Sequence, residues 1–373
     1  MKTKSLKILF VQRVITRYRL DLLKTLCNDF KQVGIITSKG NKSGTLKLAK
    51  YNDVEMEFSN IKIYKLSSLR INYKGESRAT NFFIYPKSIR IIKEYDIIVF
   101  EGTTNLLNNL YLVPYSKLLR KKTLWWDAGY SLPNRTFKRK IIDRVIKPFV
   151  MCTDAQMAYS TLALKYLTNY MGAKNAFLNL NTINTSYFDV ISREIEESIN
   201  SYKFDKNNIK LLYVGVIEER KKIKELIDIV SRLNKSTSKK RFSLTIIGGG
   251  NQLNEINKYI NKNKQVCLLG PIYEKNELKP YYFKSDLFVL PGDGGLAILQ
   301  SLLFGLPVLS IKGADGTELD YIKDKSFLVE SVTMIEDSLK RLTNIDRKKI
   351  ICNLPDIKHF YWTETLKSLI MKL

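Results

Sequence analysis

Histidine is nearly absent, with His359 alone among 373 residues, and cysteine is scarce. The four cysteines, Cys27, Cys152, Cys267 and Cys352, form no close pair. Neither a thiolate–imidazole zinc cluster nor a disulfide scaffold is therefore expected. Long hydrophobic runs are missing too. The N-terminal segment MKTKSLKILFVQRV starts basic, but its apolar run stops at Gln12 and Arg13, too short for a signal-peptide core or a membrane span. A cytoplasmic location is the expectation. Acidic residues are outnumbered: 36 Asp and Glu face 62 Lys and Arg, a net charge of +26. Such a balance fits a solvated surface in a Lys-, Asn- and Ile-rich chain. It equally fits attraction to an anion, whether nucleic acid, an acidic membrane face or a nucleotide-linked substrate. Charge by itself leaves these open.

Apolar residues are plentiful at 45%, enough at this length for two domains with their own cores and too many for general disorder. Short β-branched runs alternate with longer helical patterns, which argues for parallel sheets with crossover helices. In the first half, strands are expected over residues 7–11, 33–37, 96–100 and 123–126, with helices over 18–29 and 106–119. Residues 187–208 are polar and carry the acidic run Glu194-Ile195-Glu196-Glu197, which reads as an inter-domain connection. The pattern then restarts. Strands are expected over 209–214, 242–247, 266–269, 286–290 and 307–310, with helices over 225–233, 252–260 and 296–304. No tandem repeat is visible, so solenoids and propellers are disfavoured. The fold class expected is α/β, two doubly wound Rossmann-like domains facing a central cleft, with ligands at the carboxyl ends of the strands.

The most informative stretch is Leu290-Pro291-Gly292-Asp293-Gly294-Gly295-Leu296, followed by Gln300 and by Gly305-Leu306-Pro307-Val308. An apolar strand runs through three glycines into a helix, so backbone N–H groups can close on an anion while the helix N-terminus adds partial positive charge. That is the chemistry of a diphosphate cradle. A tight strand-to-helix turn is the alternative. Gln300 lies four residues after Leu296, where an amide can reach a ribose hydroxyl. Upstream, Leu212-Tyr213-Val214-Gly215 precedes Lys221 by six residues from the glycine, and Ile247-Gly248-Gly249-Gly250 and Leu269-Gly270 follow in order.

Together these elements, over about 120 residues, resemble the nucleotide-sugar-binding domain of GT-B glycosyltransferases of the retaining group called glycosyl transferases group 1. The resemblance implies that Lys221 is the phosphate-binding lysine, neutralising the diphosphate as the sugar–phosphate bond breaks. It places Gly215, Arg220, Gly249, Gly292, Asp293, Gly294, Gly295, Leu296, Gln300 and Glu318 around the donor. Departures are evident. The arginine that follows the strand glycine in the family is Val216 here, with Arg220 as a substitute. The family's paired glutamates fall on Gly292 and Gln300, with Asp293 the nearest replacement carboxylate. Glu318 in Gly316-Thr317-Glu318 faces the nucleotide or caps the following helix, and both remain open.

In the first half, Arg13-Val14-Ile15-Thr16-Arg17-Tyr18-Arg19 resembles the loop that ends in Tyr–Arg ahead of the family's first helix. Arginines at a strand's carboxyl end suit an anionic ligand such as a lipid-linked diphosphate, so Arg13, Arg17 and Arg19 are candidate acceptor-binding residues. A plain surface helix start is the competing reading. Glu101, Gly102 and Asp127, which end neighbouring strands, join them. Trp125-Trp126-Asp127-Ala128-Gly129 matches the place of the family's Trp–Gly–His–Gly, and the histidine is replaced by Ala128. Asp127 is the candidate catalytic group there beside Lys221 in the donor half; the leaving diphosphate can also take the acceptor proton. Asn181-Thr182-Ile183-Asn184 resembles the family's closing motif of the first domain, and the aromatic tail from His359 resembles its last helix. Domains are thus expected over 1–186, 187–350 and 351–373, the last crossing back to the first.

The reading implied is a glycosyltransferase that uses a nucleotide-sugar donor and a glycan or lipid-linked acceptor, with neither metal nor other cofactor. It would serve bacterial surface polysaccharide synthesis such as capsule, O-antigen or lipopolysaccharide, peripheral on the inner, anionic face of the plasma membrane. Two alternatives stand beside it: a catalytically degenerate GT-B protein that binds a partner, and a basic nucleic-acid-binding protein. No nucleic-acid partner is expected, because the basic residues spread over both halves without a recognition helix.

Overall fold

The computed structural model describes residues 2–13, 15–38, 59–67, 69–72, 81–102, 107–129, 137–236, 240–260, 263–312, 317–351 and 358–373. Two compact units emerge, one of residues 1–184 with 359–373 and the other of residues 185–358. The fold class is the one expected, two doubly wound parallel sheets.

In the first unit β1 (Lys7–Val11), β2 (Gln32–Ser38), β3 (Ile61–Leu66), a separate antiparallel hairpin of β4 (Leu69–Asn72) and β5 (Asn81–Ile84), β6 (Ile97–Gly102), β7 (Lys122–Asp127), β8 (Ala155–Ala158) and β9 (Ala176–Leu178) follow in order. The main sheet runs β3-β2-β1-β6-β7-β8-β9, all parallel. Its strands read as near-continuous apolar runs because helices cover both faces. Leu20, Leu23 and Leu26 pack on one face with Trp126 and with Trp362, Leu366 and Ile370 of the last helix, His359–Lys372. Leu112, Val113, Ile146, Val150 and Tyr166 fill the other. Trp362 lies 5.5 Å from Trp126, ring centre to ring centre.

The second unit contains β10 (Asn208–Val214), β11 (Arg241–Ile247), β12 (Val266–Leu268), β13 (Leu287–Leu290), β14 (Val308–Ile311) and β15 (Leu328–Val329), ordered β12-β11-β10-β13-β14-β15. The strand order reverses between β10 and β13, which pair through Leu211 and Leu287, so a crevice is expected at their carboxyl ends. The helix Ile223–Ser236 seals one side with Leu226, Ile227, Val230 and Leu233.

Two expectations are corrected. The polar stretch over residues 187–208 is no connector: helices Ser186–Val190 and Ser192–Ser201 belong to the second unit, with Ile195 and Ile199 each 2% exposed. Their spacing puts both isoleucines on one face and the glutamates on the solvent side. The helix expected over 18–29 is α-helical only as Arg17–Lys24 and tightens to a 3₁₀ turn over Thr25–Asn28.

Candidate functional site

At the reversal point of the second unit, the loop after β10 and the loop after β13 lie against each other. A Cβ on Gly292 would sit 2.3 Å from the Arg220 carbonyl oxygen and 2.7 Å from the Lys221 Cα, so only glycine permits this approach. The Asp293 N–H donates to the Arg220 carbonyl at 3.1 Å. Lys221 ends the 3₁₀ turn Glu219–Lys221 and is buried. Its Nζ donates to the carbonyls of Asp293 at 2.5 Å and Gly294 at 2.7 Å. Arg220 bridges the same loops, with Nε to Glu218 at 2.8 Å and Nη1 to Asp293 at 3.2 Å. Burial, together with the neighbouring Arg220 charge, pulls the Lys221 ammonium down to about 8, against the opposing pull of Asp293, Glu218 and Glu318. Two of its three N–H donors go to loop carbonyls, and the third has no protein partner among the described residues.

Beyond the loop, the helix Leu296–Leu303 starts at Gly295, whose φ of 145° suits glycine. Among the described residues, neither a side-chain cap nor an acidic residue in the first turn occupies its N-terminus. A Cβ on Gly295 would meet nothing within 4 Å among the described residues. Leu296 and Gln300 are half-buried on the helix, and Glu318 is buried in the 3₁₀ turn Thr317–Tyr321. Lys221, Asp293, Gly294, Gly295 and the helix N-terminus are thus brought together as the spacing predicts, a cation beside the N-terminal amides of a helix. Gly215 lies at the base of this arrangement, its N–H bonded to the Ile247 carbonyl at 2.9 Å. Gly249 accepts from the Ile217 N–H at 2.9 Å and has ordinary room, whereas its neighbour Gly250 approaches the Ile217 carbonyl so closely that a Cβ would sit 2.1 Å away. Sequence reasoning missed Tyr213, whose buried hydroxyl donates to the Val216 carbonyl at 2.8 Å and braces the loop.

The first unit presents its own reversal point, between β1 and β6. Arg13 leaves β1 and meets Glu101 at the end of β6: Nη2 and Nε donate at 2.9 and 3.2 Å, and the Arg13 N–H donates at 2.8 Å. Burial pushes the Glu101 carboxyl up, but the charges of Arg13 and Arg19 with these bonds bring it below its ordinary value, so it stays ionised. Arg19 is 8% exposed, stacked over Trp126 at 4.6 Å and Tyr159 at 5.2 Å, with Nη1 donating to Gln12 at 3.3 Å. The side chain of Arg17 lies outside the described residues. Gly102 packs against Asp127, where a Cβ would come within 2.6 Å of Oδ2. Both Asp127 oxygens are engaged, Oδ2 by the Trp125 indole N–H at 3.0 Å and Oδ1 by the Gly129 N–H at 2.7 Å. Burial raises its carboxyl to about 6. Near it lies a cluster the motif reading did not reach: Asp143 accepts from the Tyr166 hydroxyl at 2.8 Å and pairs with Arg139 at 2.9 Å. The i, i+4 spacing of Arg139 and Asp143 was the signal available for it. Among the described residues no group of His, Cys, Asp and Glu is placed to hold a metal ion.

Residues 194–351 match the family model described as glycosyl transferases group 1. No curated protein matches the chain. Among solved structures, the Anabaena protein HepE in complex with UDP is similar at 13% identity and a TM-score of 0.68, covering 98% of this chain and 100% of that one. HepE has also been solved with UDP-glucose. The lipopolysaccharide outer core galactosyltransferase WaaB gives 14% identity and a TM-score of 0.67 over 98% and 99% of the two chains. A UDP-forming trehalose-phosphate synthase from Burkholderia xenovorans gives 13% and 0.62 over 98% and 99%. At these identities the likeness shows the fold, two Rossmann-like domains of the GT-B class.

Proposed function

We propose, from the premise that this chain is a group 1 glycosyltransferase with its family domain over residues 194–351, that it moves a sugar from a nucleoside-diphosphate sugar to a glycan or lipid-linked acceptor. The observation that carries this is the buried Lys221 ammonium pinned beside the Gly292–Gly295 turn and the uncapped helix N-terminus. In that place Lys221, Arg220 and the amide groups of Gly294 to Leu296 hold the diphosphate, and Gln300 and Glu318 face the nucleoside. UDP-sugars are the first donors to test, because HepE binds UDP and UDP-glucose.

The reaction breaks the bond between the anomeric carbon and the terminal phosphate oxygen and forms one from that carbon to the acceptor oxygen on the same face. Positive charge at Lys221 and Arg220 stabilises the diphosphate as it leaves, which makes the chemistry metal-independent. The acceptor proton passes to the departing phosphate oxygen. Asp127, with both oxygens bonded within its own loop, holds the Trp125–Gly129 turn in shape. Arg13 and Glu101 present the polar edge for the acceptor, and the net charge of +26 supports attachment to an anionic inner membrane face. Surface polysaccharide synthesis is the role in keeping with these parts.

The test is incubation with each UDP-hexose and a lipid-linked acceptor fraction in EDTA, following UDP release and product anomeric configuration by NMR. Release of UDP with product of unchanged configuration is expected. Donor binding without turnover would instead identify a degenerate binding protein, and inverted configuration would overturn the proposed course.

A further inference from the structure

The helix Phe137–Cys152 of the first unit leaves an apolar stripe uncovered. Phe137 is 78% exposed, Ile141 50%, Val145 56% and Met151 49%, and Pro148 and Cys152 are exposed as well. At about 100° per residue, Phe137, Pro148, Ile141, Cys152 and Val145 fall within an arc of about 80°. The inward face takes Ile146 and Val150, both buried. Along one flank of the stripe, in angular order, stand Arg144, Lys140 and Lys147, with Met151 among them. The helix has one carboxylate, Asp143, which is buried and paired with Arg139, so the outward arc carries positive charge alone. Lys140, Arg144 and Lys147 have no ion pair among the described residues. Leu118, 78% exposed, extends the apolar surface: it ends the helix Asn109–Leu118, whose Lys117 pairs with Asp154 just past Cys152.

An apolar stripe bordered by cations suits a surface that is apolar beneath an anionic layer. We propose that the helix Phe137–Cys152 is the face by which this chain lies on an anionic lipid bilayer, with Phe137, Ile141, Val145 and Met151 at the acyl boundary and Lys140, Arg144 and Lys147 on lipid phosphates. A second copy of the chain is the poorer occupant, since a two-fold contact through this stripe would set the same three cations against themselves. The orientation has a consequence for the acceptor. Cys152 lies toward the amino edge of the sheet, where β8 begins three residues later, so Phe137 points toward the carboxyl edge that holds Arg13, Glu101 and Asp127. A bilayer along the helix runs beside that edge, where a lipid-borne acceptor would present its sugar. The inference rests on the membrane attachment proposed above and supplies its contact surface.

The test needs no sugar donor, so its failure leaves the transferase reading untouched. Full-length protein is sedimented with vesicles one-third phosphatidylglycerol in phosphatidylethanolamine, and with vesicles of phosphatidylcholine alone. Binding to the anionic vesicles only, weakening with salt, is expected. Ile141→Ser with Val145→Ser lowers the partition constant by about tenfold or more. Lys140→Ser with Arg144→Ser and Lys147→Ser lowers it about a hundredfold, at roughly fivefold per cation. Both sets are surface changes, and an unchanged melting temperature verifies the fold. Wild-type affinity in either variant overturns the proposal. So does equal binding to phosphatidylcholine, or a dimer in ultracentrifugation that the apolar double variant disperses while vesicles stay unbound.

Discussion

Replacing Lys221 separates charge from structure at the proposed donor site. Its ammonium titrates at about 8 because burial and Arg220 disfavour the charged form, against an ordinary value of 10.5. The folded state therefore binds this proton more weakly than the unfolded chain, so stability is lowest below pH 8 and rises as pH climbs from about 8 to about 10.5. A depression of this size corresponds to roughly 3 kcal/mol of cost at neutral pH. Lys221→Met removes that cost and also removes two charge-assisted hydrogen bonds to carbonyls, each worth about 1.5–3 kcal/mol. The melting temperature is accordingly held or lowered by a few degrees at pH 7. Function changes far more: losing the cation at the leaving diphosphate costs about a hundred- to a thousandfold in kcat. Donor affinity carries the same signature. In wild type, calorimetric Kd for the nucleoside diphosphate is flat below pH 8 and weakens toward tenfold per unit above it, while Lys221→Arg stays flat across the range. A Lys221→Met enzyme that keeps a third of wild-type kcat, or a wild-type Kd flat to pH 9.5, would refute the assignment.

Three further outcomes are expected. Gly292→Ala forces a methyl group to 2.3 Å from the Arg220 carbonyl, so donor affinity drops at least tenfold with a loss of about 2 kcal/mol in urea unfolding; unaltered binding would show that the two loops move apart freely. Asp127, raised to about 6 from 3.8, holds its proton more tightly when folded. Wild-type stability therefore falls as pH rises from about 4 through about 6, by up to about 3 kcal/mol, and Asp127→Asn flattens this fall; parallel pH curves would contradict it. Trp362→Ala strips the last helix of its anchor on Trp126 and costs about 3–5 kcal/mol, a drop of about 10 °C in the melting of the first unit. A lowered first-unit transition with the donor-induced shift retained is the expected pattern, and an unchanged melting temperature would sink it.

Local pattern carried the strands well, because residues such as Ile97 to Phe100 and Leu287 to Leu290 are apolar on both faces and bounded by polar turns. The close approach of the loops after β10 and β13 was equally readable, since Gly292 and Lys221 meet through backbone geometry and charge that spacing encodes. Other features depend on distant partners. Arg19 reads as a surface cation from its neighbours, yet Trp126 and Tyr159, more than a hundred positions away, enclose its guanidinium. Asp127 reads as a free acid until Trp125 and Gly129 are seen to take both oxygens. The acidic run from Glu194 masked the buried Ile195 and Ile199, whose period is helical but short. Short strands such as β9 and β15 give too few residues for any period to register.

The central claim is that the second unit holds a nucleoside diphosphate without metal. It is tested most directly by the melting temperature of the full chain with UDP-, GDP-, ADP-, CMP- and dTDP-sugars in EDTA. One nucleotide class at a hundred times its Kd should stabilise by about 2.7 kcal/mol, raising the melting temperature of the second unit by about 5–10 °C, with the rise lost in Lys221→Met. No shift with any of them, or a shift that EDTA abolishes, would contradict the account.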